Sequence, residues 1–342
     1  MTISVGIAGA SGYVGAELLR LCAGHPELEV AFAGSHSRGG APIGSVYPSL
    51  AGAYPDLVLS DGGIAHMKGV DLCFLALPHG ESQHVAAELA AAGGVVVDLA
   101  ADFRLKDEAV YAQWYGCNHS APELLDEFVY GLPELYRDQI DGARLIAAPG
   151  CYPTAAALAI APFVRSGVVE TAGIVVDAAS GVSGAGHSPS ESTHFATVDE
   201  NFTAYGLLTH RHTPEIEQAT GATVIFTPHL APMTRGILVT SYMRPSEPGK
   251  RIDTRAAIDI LGAEYEKEPF VVTSDRSPST KATLGSNSAH LTARVDERTG
   301  WLISLCAIDN LMKGAAGQAV QCANLALGLP ETCGLAVAGM YP

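Results

Sequence analysis

The stretch Ile3-Ser4-Val5-Gly6-Ile7-Ala8-Gly9-Ala10-Ser11-Gly12-Tyr13-Val14-Gly15-Ala16-Glu17-Leu18-Leu19-Arg20-Leu21 decides the fold of the first half of this chain. Ile3 to Ala8 is a short, nearly continuous apolar run, the pattern of a strand buried on both faces of a parallel sheet. Ala16 to Leu21 reads as a helix. Three glycines lie between them, spaced G-x-x-G-x-x-G, a variant of the dinucleotide fingerprint. A glycine loop that leaves a strand and opens a helix lets the backbone approach a pyrophosphate closely, and the first N–H groups of the helix hold it. Gly9, Ser11, Gly12, Tyr13, Val14 and Gly15 are therefore candidate cofactor contacts.

Outward from this unit the pattern repeats. Leu28 to Ala33, Asp71 to Leu77, Val95 to Leu99 and Arg144 to Ala148 read as further strands, and Ser82 to Ala92 as a crossover helix. Apolar strands joined by helices predict a doubly wound α/β domain of Rossmann type. From about residue 150 the texture changes. Gly173 to Ala178, Arg235 to Arg244, Phe270 to Thr273, Ala289 to Arg294 and Trp301 to Ile308 read as strands, several with short links. This predicts an α+β second domain with a mixed, largely antiparallel sheet. Lys313 to Leu327 reads as one long helix. No repeat, low-complexity tract or flexible linker stands out.

The chain has 342 residues, of which 48% are hydrophobic, enough for two domains with sizeable cores. The 20 basic and 36 acidic residues give a formal net charge of -16, which removes the basic footprint of a nucleic-acid binder. A few local arginines and helix ends still suffice for an anionic substrate. The seven cysteines are scattered and form no CxxC, as expected of a reducing cytoplasm rather than a disulfide framework or zinc cluster. No basic leader precedes Ile3, and no apolar run suggests a membrane span.

The end of the second strand discriminates between cofactors. An NAD site prefers an acidic side chain there for the ribose 2′-hydroxyl, whereas this chain offers Ser35-His36-Ser37-Arg38. The hydroxyls of Ser35 and Ser37 and the Arg38 guanidinium suit a 2′-phosphate, so NADP(H) is expected. Leu77 and Pro78 close the next strand at the edge where the cofactor would lie; His79 reads as an ordinary loop residue.

Pro149-Gly150-Cys151-Tyr152-Pro153-Thr154 opens a run of small residues that reads as a helix, with Cys151 just ahead of it. Such an address favours a thiolate, hence a nucleophile toward an acyl group. In His210-Arg211-His212-Thr213-Pro214-Glu215, Thr213 reads as a helix cap and Pro214 as the first helical residue. A histidine beside a nucleophilic cysteine can take its proton and return it. Both His210 and His212 qualify, and His210 is favoured because His212 lies nearer the cap. The pair lacks the further ligands of a zinc site. Arg104, in Asp102-Phe103-Arg104, is placed to grip a phosphate or carboxylate. Ser180-Gly181-Val182-Ser183-Gly184-Ala185-Gly186-His187 is a loop whose backbone N–H groups offer an anion cradle.

Taken in order, several of these pieces form a pattern: the Gly9 to Leu18 stretch, Asp102 to Leu105, Tyr130-Gly131-Leu132-Pro133-Glu134, Pro149 to Thr154, Ser180 to Gly186, His210 to Ile216, Pro228-His229-Leu230 with Arg235-Gly236, and Asp309-Asn310-Leu311 with Lys313 to Ala319. The ordered set resembles the N-acetyl-gamma-glutamyl-phosphate reductase family of arginine biosynthesis, within the semialdehyde dehydrogenases. The resemblance implies a dinucleotide domain over 1–148 to which 310–342 returns, and a catalytic and oligomerisation domain over 149–309. It implies Cys151 as nucleophile, the His210/His212 pair as source of the acid/base, Arg104, Ser183 and Gly184 near the substrate, and Ser180, Gly181 and Asn310 near the cofactor. It further implies a homodimer or homotetramer acting on a small acyl phosphate with NADPH and no metal. Two positions depart from the family pattern: Ala148 stands where many relatives carry Asn, and His187 where many carry Arg. Three alternatives stand beside it: a lysine-pathway aminoadipyl-phosphate reductase, which would share every motif, an aspartate-semialdehyde dehydrogenase, which shares the cofactor loop and the cysteine chemistry, and an NADP-binding sensor without turnover.

Overall fold

A computed structural model describes residues 2–61, 63–247 and 252–342. The chain divides into two compact units, Met1–Pro149 with Ala315–Leu335, and Gly150–Gly314 with Ala336–Pro342.

The first unit is built on a six-stranded sheet: β1 (Ile3–Ala8), β2 (Leu28–Gly34), β3 (Leu72–Leu75), β4 (Val95–Asp98), β5 (Val129–Tyr130) and β6 (Leu145–Ala147). The spatial order is β2-β1-β3-β4-β6-β5 and every pairing is parallel. The central strands β3 and β4 are buried throughout, as the absence of alternation in their sequences requires. The helix Ser82–Ala92 packs against β4, and Phe32, Leu75, Leu89, Val96, Phe103 and Phe128 belong to one buried cluster. Phe103 and Phe128 stack at 4.0 Å between centroids. The helix Tyr13–Gly24 meets the returning helix Gly317–Ala326, which also covers β4.

That return is fastened by a motif read above only as a family mark. The Gly131 carbonyl accepts hydrogen bonds from Gln318 Nε2 (3.0 Å) and Cys322 Sγ (3.2 Å), while Gln321 Nε2 donates to Glu134 (3.1 Å). The Tyr130–Glu134 segment is thus the docking strip for the C-terminal helix. The return starts at Ala315 and ends at Leu335. The last residues belong to the second unit because Asn287 N–H donates to Ala336 O and Met340 N–H to Leu284 O.

The second unit carries a seven-stranded sheet: β7 (Ile174–Gly181), β8 (Thr203–Ala204), β9 (Val224–Ala231), β10 (Ile237–Met243), β11 (Val271–Thr273), β12 (Ala289–Val295) and β13 (Leu302–Ile308). Its order is β11-β12-β13-β10-β7-β9-β8. The pairs β11/β12 and β7/β9 are parallel and the other four antiparallel, the mixed and largely antiparallel sheet expected. Helices Cys151–Arg165, His212–Thr220 and Thr254–Glu264 pack on these strands. Along β7 and β10 burial alternates, so Val175, Asp177, Leu238, Thr240 and Tyr242 line a less covered face.

The short strands β5 and β8 were not read in the sequence, and two longer elements also differ from expectation. The strand β9 was not anticipated, since Pro228 at its centre argues against an inner strand. The segment from Lys313 is not one α-helix: Met312–Ala316 is a π-helical turn and the α-helix begins at Gly317. Among the described residues no helix is long and apolar enough to cross a membrane.

Candidate active site

In the second unit, Gly150 adopts an extended conformation (φ -67°, ψ 155°) and caps a helix whose first residue is Cys151. Cys151 is thus inside the first turn, not ahead of it. The helix closes at once because Thr154 N–H donates to Gly150 O at 3.0 Å, a bond that fixes Cys151 among the open N–H groups of the helix start. From Tyr152 to Phe163 this helix is buried on all sides, so the Cys151 backbone is held by the core rather than by a loop. Cys151 itself is half-buried.

Three neighbours press on this point. Gly150 N–H donates to Glu215 Oε1 at 2.8 Å, a buried carboxylate in the first turn of the His212–Thr220 helix. A Cβ on Gly150 would lie 2.5 Å from His212 Nε2, so the imidazole rests directly on the residue preceding the cysteine. A Cβ on Gly314 would lie 2.8 Å from the Cys151 Cβ. Both glycines permit contacts that any side chain would break.

His210 plays a different part. Its ring stands in an aromatic box, with centroids 5.7 Å from Tyr152, 5.5 Å from Tyr205 and 5.3 Å from Phe226, and 4.8 Å from His212. Burial pushes its pKa down to about 4, and the adjacent Arg211 charge adds to the shift. His210 Nδ1 accepts the His212 backbone N–H at 3.2 Å, which puts the imidazole proton on Nε2. The box is closed by Tyr205, whose hydroxyl donates to Tyr152 Oη (3.1 Å), which in turn donates to the His229 carbonyl (3.2 Å). The helix begins at His212 with Arg211 at its cap, so Thr213 is not the cap that the sequence suggested. Thr213 N–H already donates to the His210 carbonyl at 3.0 Å, so the turn closes ahead of Thr213.

The turn after β13 supports the same point. Asp309, fully buried, accepts N–H groups from Leu311 (2.8 Å), Met312 (3.1 Å) and Gly285 (2.8 Å) and pairs with Arg235 at 3.5 Å. Its carbonyl accepts Gly314 N–H at 3.0 Å, setting the glycine against Cys151. Asn310 Nδ2 donates to Ser183 Oγ (2.9 Å) and its Oδ1 accepts Gly236 N–H (2.8 Å). A Cβ on Gly184 would touch Ser180 Oγ at 3.0 Å and Asn310 Nδ2 at 3.7 Å, so Ser180, Ser183, Gly184 and Asn310 come together. The anion cradle expected of this loop is corrected in one respect. The N–H groups of Gly181, Val182 and Ser183 are spent on the carbonyls of Gly236, Met233 and Thr234, and that of Gly186 on Ser183 O, so these four do not serve a cradle. His187 is exposed.

In the first unit the glycine loop has the geometry that a dinucleotide needs. Gly9 has φ +82° and a Cβ there would lie 2.1 Å from Ala76 O; a Cβ on Gly15 would lie 2.3 Å from Gly9 O. Gly12 caps the helix with φ -81° and ψ 168°, Tyr13 is its first residue and Val14 its second. At the end of β2, Ser35 Oγ donates to Ser11 Oγ (2.7 Å) and accepts Arg38 N–H (3.1 Å), which ties the discriminating segment to the glycine loop. Ser37 and Arg38 are exposed, and residues 35–38 carry no carboxylate; Asp61 packs beside this segment, where a Cβ on Gly39 would lie 2.4 Å from its Cβ. The residues present fit NADP(H). Leu77 and Pro78 follow β3 beside the Gly9 contact at Ala76.

Arg104 is buried; its Nε donates to Ala148 O and its Nη2 to Leu99 O, both at 2.8 Å. The guanidinium expected to face substrate is engaged on backbone carbonyls, one of them three residues before Cys151. Sequence reasoning missed Glu215 and Tyr205. Glu215 stands three residues after His212, one turn along the same helix, and that spacing was the available signal.

Comparison with known proteins accords with this geometry. The profile described as semialdehyde dehydrogenase, NAD binding domain, matches residues 4–143, and the one described as semialdehyde dehydrogenase, dimerisation domain, matches 151–310. The N-acetyl-gamma-glutamyl-phosphate reductase of Symbiobacterium thermophilum is 51% identical, over 100% of both chains. The enzyme of that name from Desulforudis audaxviator is 48% identical, over 99% of this chain and 100% of its own. Among solved structures, aspartate semialdehyde dehydrogenase II of Vibrio cholerae superposes with a TM-score of 0.70 at 18% identity, covering 96% of this chain and 99% of the other, a likeness of fold.

Proposed function

Because the chain belongs to the N-acetyl-gamma-glutamyl-phosphate reductases, within the semialdehyde dehydrogenase family, we infer that it reduces N-acetyl-gamma-glutamyl phosphate to N-acetyl-glutamate 5-semialdehyde with NADPH and releases phosphate, a step of arginine biosynthesis. The observation that carries the reading is Cys151 in the first turn of a buried helix with the His212 imidazole on the residue before it.

The chemistry follows from those positions. The Cys151 thiolate attacks the acyl carbon; the C–S bond forms, the bond from that carbon to the phosphate oxygen breaks, and phosphate leaves. The result is a thioester on Cys151. NADPH, when bound, supplies the hydride that reduces this thioester. The C–S bond of the resulting thiohemiacetal then breaks, releasing the aldehyde and restoring the Cys151 sulfur. We assign to His212 the proton leaving the Cys151 thiol and the proton on the thiohemiacetal oxygen. His210 serves as its support, a neutral imidazole that holds the His212 backbone. The helix-start N–H groups around Cys151 stabilise negative charge on the reacting group. The cofactor is assigned to Gly9, Ser11, Gly12, Tyr13, Val14 and Gly15, with Ser35, Ser37 and Arg38 taking the 2′-phosphate. Arg104 acts on the Ala148 carbonyl and so on the approach to Cys151.

Self-association as a homodimer or homotetramer is supported by the less covered face of the second sheet, where Ile225 is 50% exposed. A reducing compartment, the cytoplasm, suits seven free thiols.

The test is the reverse reaction. The protein is given N-acetyl-glutamate semialdehyde, phosphate and NADP+, with the aminoadipate and aspartate semialdehydes in parallel. Phosphate-dependent NADPH formation is expected with the first substrate. Its absence there, or faster turnover of another aldehyde, overturns the assignment.

A further inference from the structure

Asp102, in the first unit, is surrounded by donors. Its Oδ1 accepts Gly80 N–H (2.7 Å) and the Tyr111 hydroxyl (3.1 Å); its Oδ2 accepts the Ser82 hydroxyl (2.9 Å) and Gln83 N–H (3.2 Å). Four donors thus converge on its two oxygens. The same Ser82 Oγ lies 3.1 Å from Asp98 Oδ2, and Asp98 is fully buried. Ser82 has one hydroxyl proton and two carboxyl groups within its reach; directed at the nearer, Asp102 at 2.9 Å, it leaves the Asp98 contact without a donor. The contact with Asp98 therefore requires a proton from Asp98 itself. Asp98 Oδ1 is already an acceptor, of Ala100 N–H at 3.0 Å, which leaves Oδ2 to carry that proton.

The other end of this chain of bonds is the loop after β3. Gly80 has φ +90°, its N–H is held by Asp102, and its carbonyl accepts Gln83 Nε2 at 3.0 Å. Gln83 is itself fixed, since Ser120 N–H donates to its Oε1 at 2.6 Å. Upstream, Ala76 N–H donates to Ala8 O (2.9 Å), and the Ala76 carbonyl faces the Cα of Gly9. Leu77 to Gly80 is thus pinned at both ends, and one pin is a buried proton-sharing pair.

We propose that Asp102 is a positioning residue for the cofactor, clamping the Leu77–Gly80 loop, and that the proton shared from Asp98 through Ser82 sets the clamp, so that loss of that proton weakens NADPH binding. The inference rests on the cofactor reading above. The surroundings agree with it. Burial raises the Asp98 pKa to about 7, with the Asp102 charge next, while Ala100 N–H, Arg104 and Ser82 oppose the shift. Burial, then the Asp102 charge, pushes the Tyr111 phenol up, so it remains a donor. Burial pushes His119 down; its Nδ1 accepts Ala121 N–H (3.1 Å), so its Nε2 donates to Asp102 O (2.9 Å). The helix Gly317–Ala326 against β4 brings no acidic or basic side chain, and on Ser82–Ala92 the titratable His84 and Glu88 are exposed.

The test is NADPH binding by the full-length protein, followed by fluorescence titration from pH 6 to 9 together with the thermal midpoint. Asp98→Asn places an amide donor where the protonated carboxyl stood. It is expected to keep wild-type affinity at pH 6 and to remove the weakening, about 10-fold, that the wild type shows by pH 9. Asp102→Asn, which turns a donor toward N–H groups, is expected to weaken binding about 10-fold or more at every pH. An Asp98→Asn profile that follows the wild type overturns the proposal, as does unaltered affinity in a folded Asp102→Asn. If Asp102→Asn does not fold, the Asp98→Asn profile decides alone. Failure of the wild type to bind NADPH at any pH overturns the cofactor reading and this inference with it.

Discussion

His212 lies on Gly150: a methyl group on the glycine would stand 2.5 Å from the imidazole Nε2. The residue ahead of Cys151 is a glycine because a ring fills the space where a side chain would go. Gly150→Ala is expected to fold but to lose about 100-fold or more in kcat, since misplacing a reacting group by about 1 Å has costs of that order. Steady-state kinetics beside a circular dichroism melt would separate the two effects. Activity within twofold of wild type would mean that the ring position is unimportant.

The two histidines are expected to separate in their pH profiles. Burial holds His210 neutral, with a pKa of about 4, so its own ionisation lies below the range of an assay at pH 5–9. His212→Asn is expected to lose about 100- to 10,000-fold in kcat/KM and to abolish any acidic limb in that range. His210→Asn is expected to keep the limb at reduced amplitude. A limb lost on changing His210 alone would reverse the roles.

Asp98 predicts the shape of the stability curve. Its folded pKa is raised from 3.8 to about 7, so between those values the native state binds a proton that the unfolded chain has released. Stability from this group is therefore greatest at low pH and falls as pH rises from about 4 to about 7, by a few kcal/mol at about 1.4 kcal/mol per unit. Urea titrations at several pH values should show Asp98→Asn flattening this decline. An identical slope in the variant would contradict the assignment.

How much of this was legible in the sequence varies with the kind of signal. The glycine loop and the helix Ser82–Ala92 could be read because periodicity and backbone tolerance are written locally. The strand β9 could not, because Pro228 is a poor inner-strand residue; its carbonyl is nonetheless paired, accepting Tyr205 N–H at 3.1 Å beside the antiparallel β8. The histidine pair could be named, yet its order could not, since what distinguishes His210 is an aromatic box assembled from Tyr152, Tyr205 and Phe226 across the sequence. Arg104 illustrates a third case. Residue type suggested an anion, but its Nε and Nη2 donate to two carbonyls that no side-chain pattern announces.

The docking of the C-terminal helix gives a stability prediction independent of catalysis. A Cβ on Gly131 would meet Ile146 Cγ2 at 2.8 Å, Cys322 Sγ at 3.1 Å and Ala147 O at 3.2 Å. Gly131→Ala is expected to destabilise the first unit by about 1–3 kcal/mol through overpacking. Turnover per folded molecule should remain within a few-fold of wild type. Denaturant unfolding with no shift in midpoint would show that the seam tolerates the methyl group.

The central claim is that Cys151 carries the acyl group. Its most direct measurement mixes the protein with N-acetyl-glutamate semialdehyde and NADP+ in the absence of phosphate, follows NADPH by stopped flow, and quenches for peptide mass spectrometry. The account predicts a burst of NADPH no larger than the enzyme present, an N-acetylglutamyl adduct on the Cys151 peptide, and release of that adduct when phosphate is added. Cys151→Ala should give neither burst nor adduct. NADPH formation that waits for phosphate with no adduct on Cys151, or a normal burst from Cys151→Ala, would contradict it.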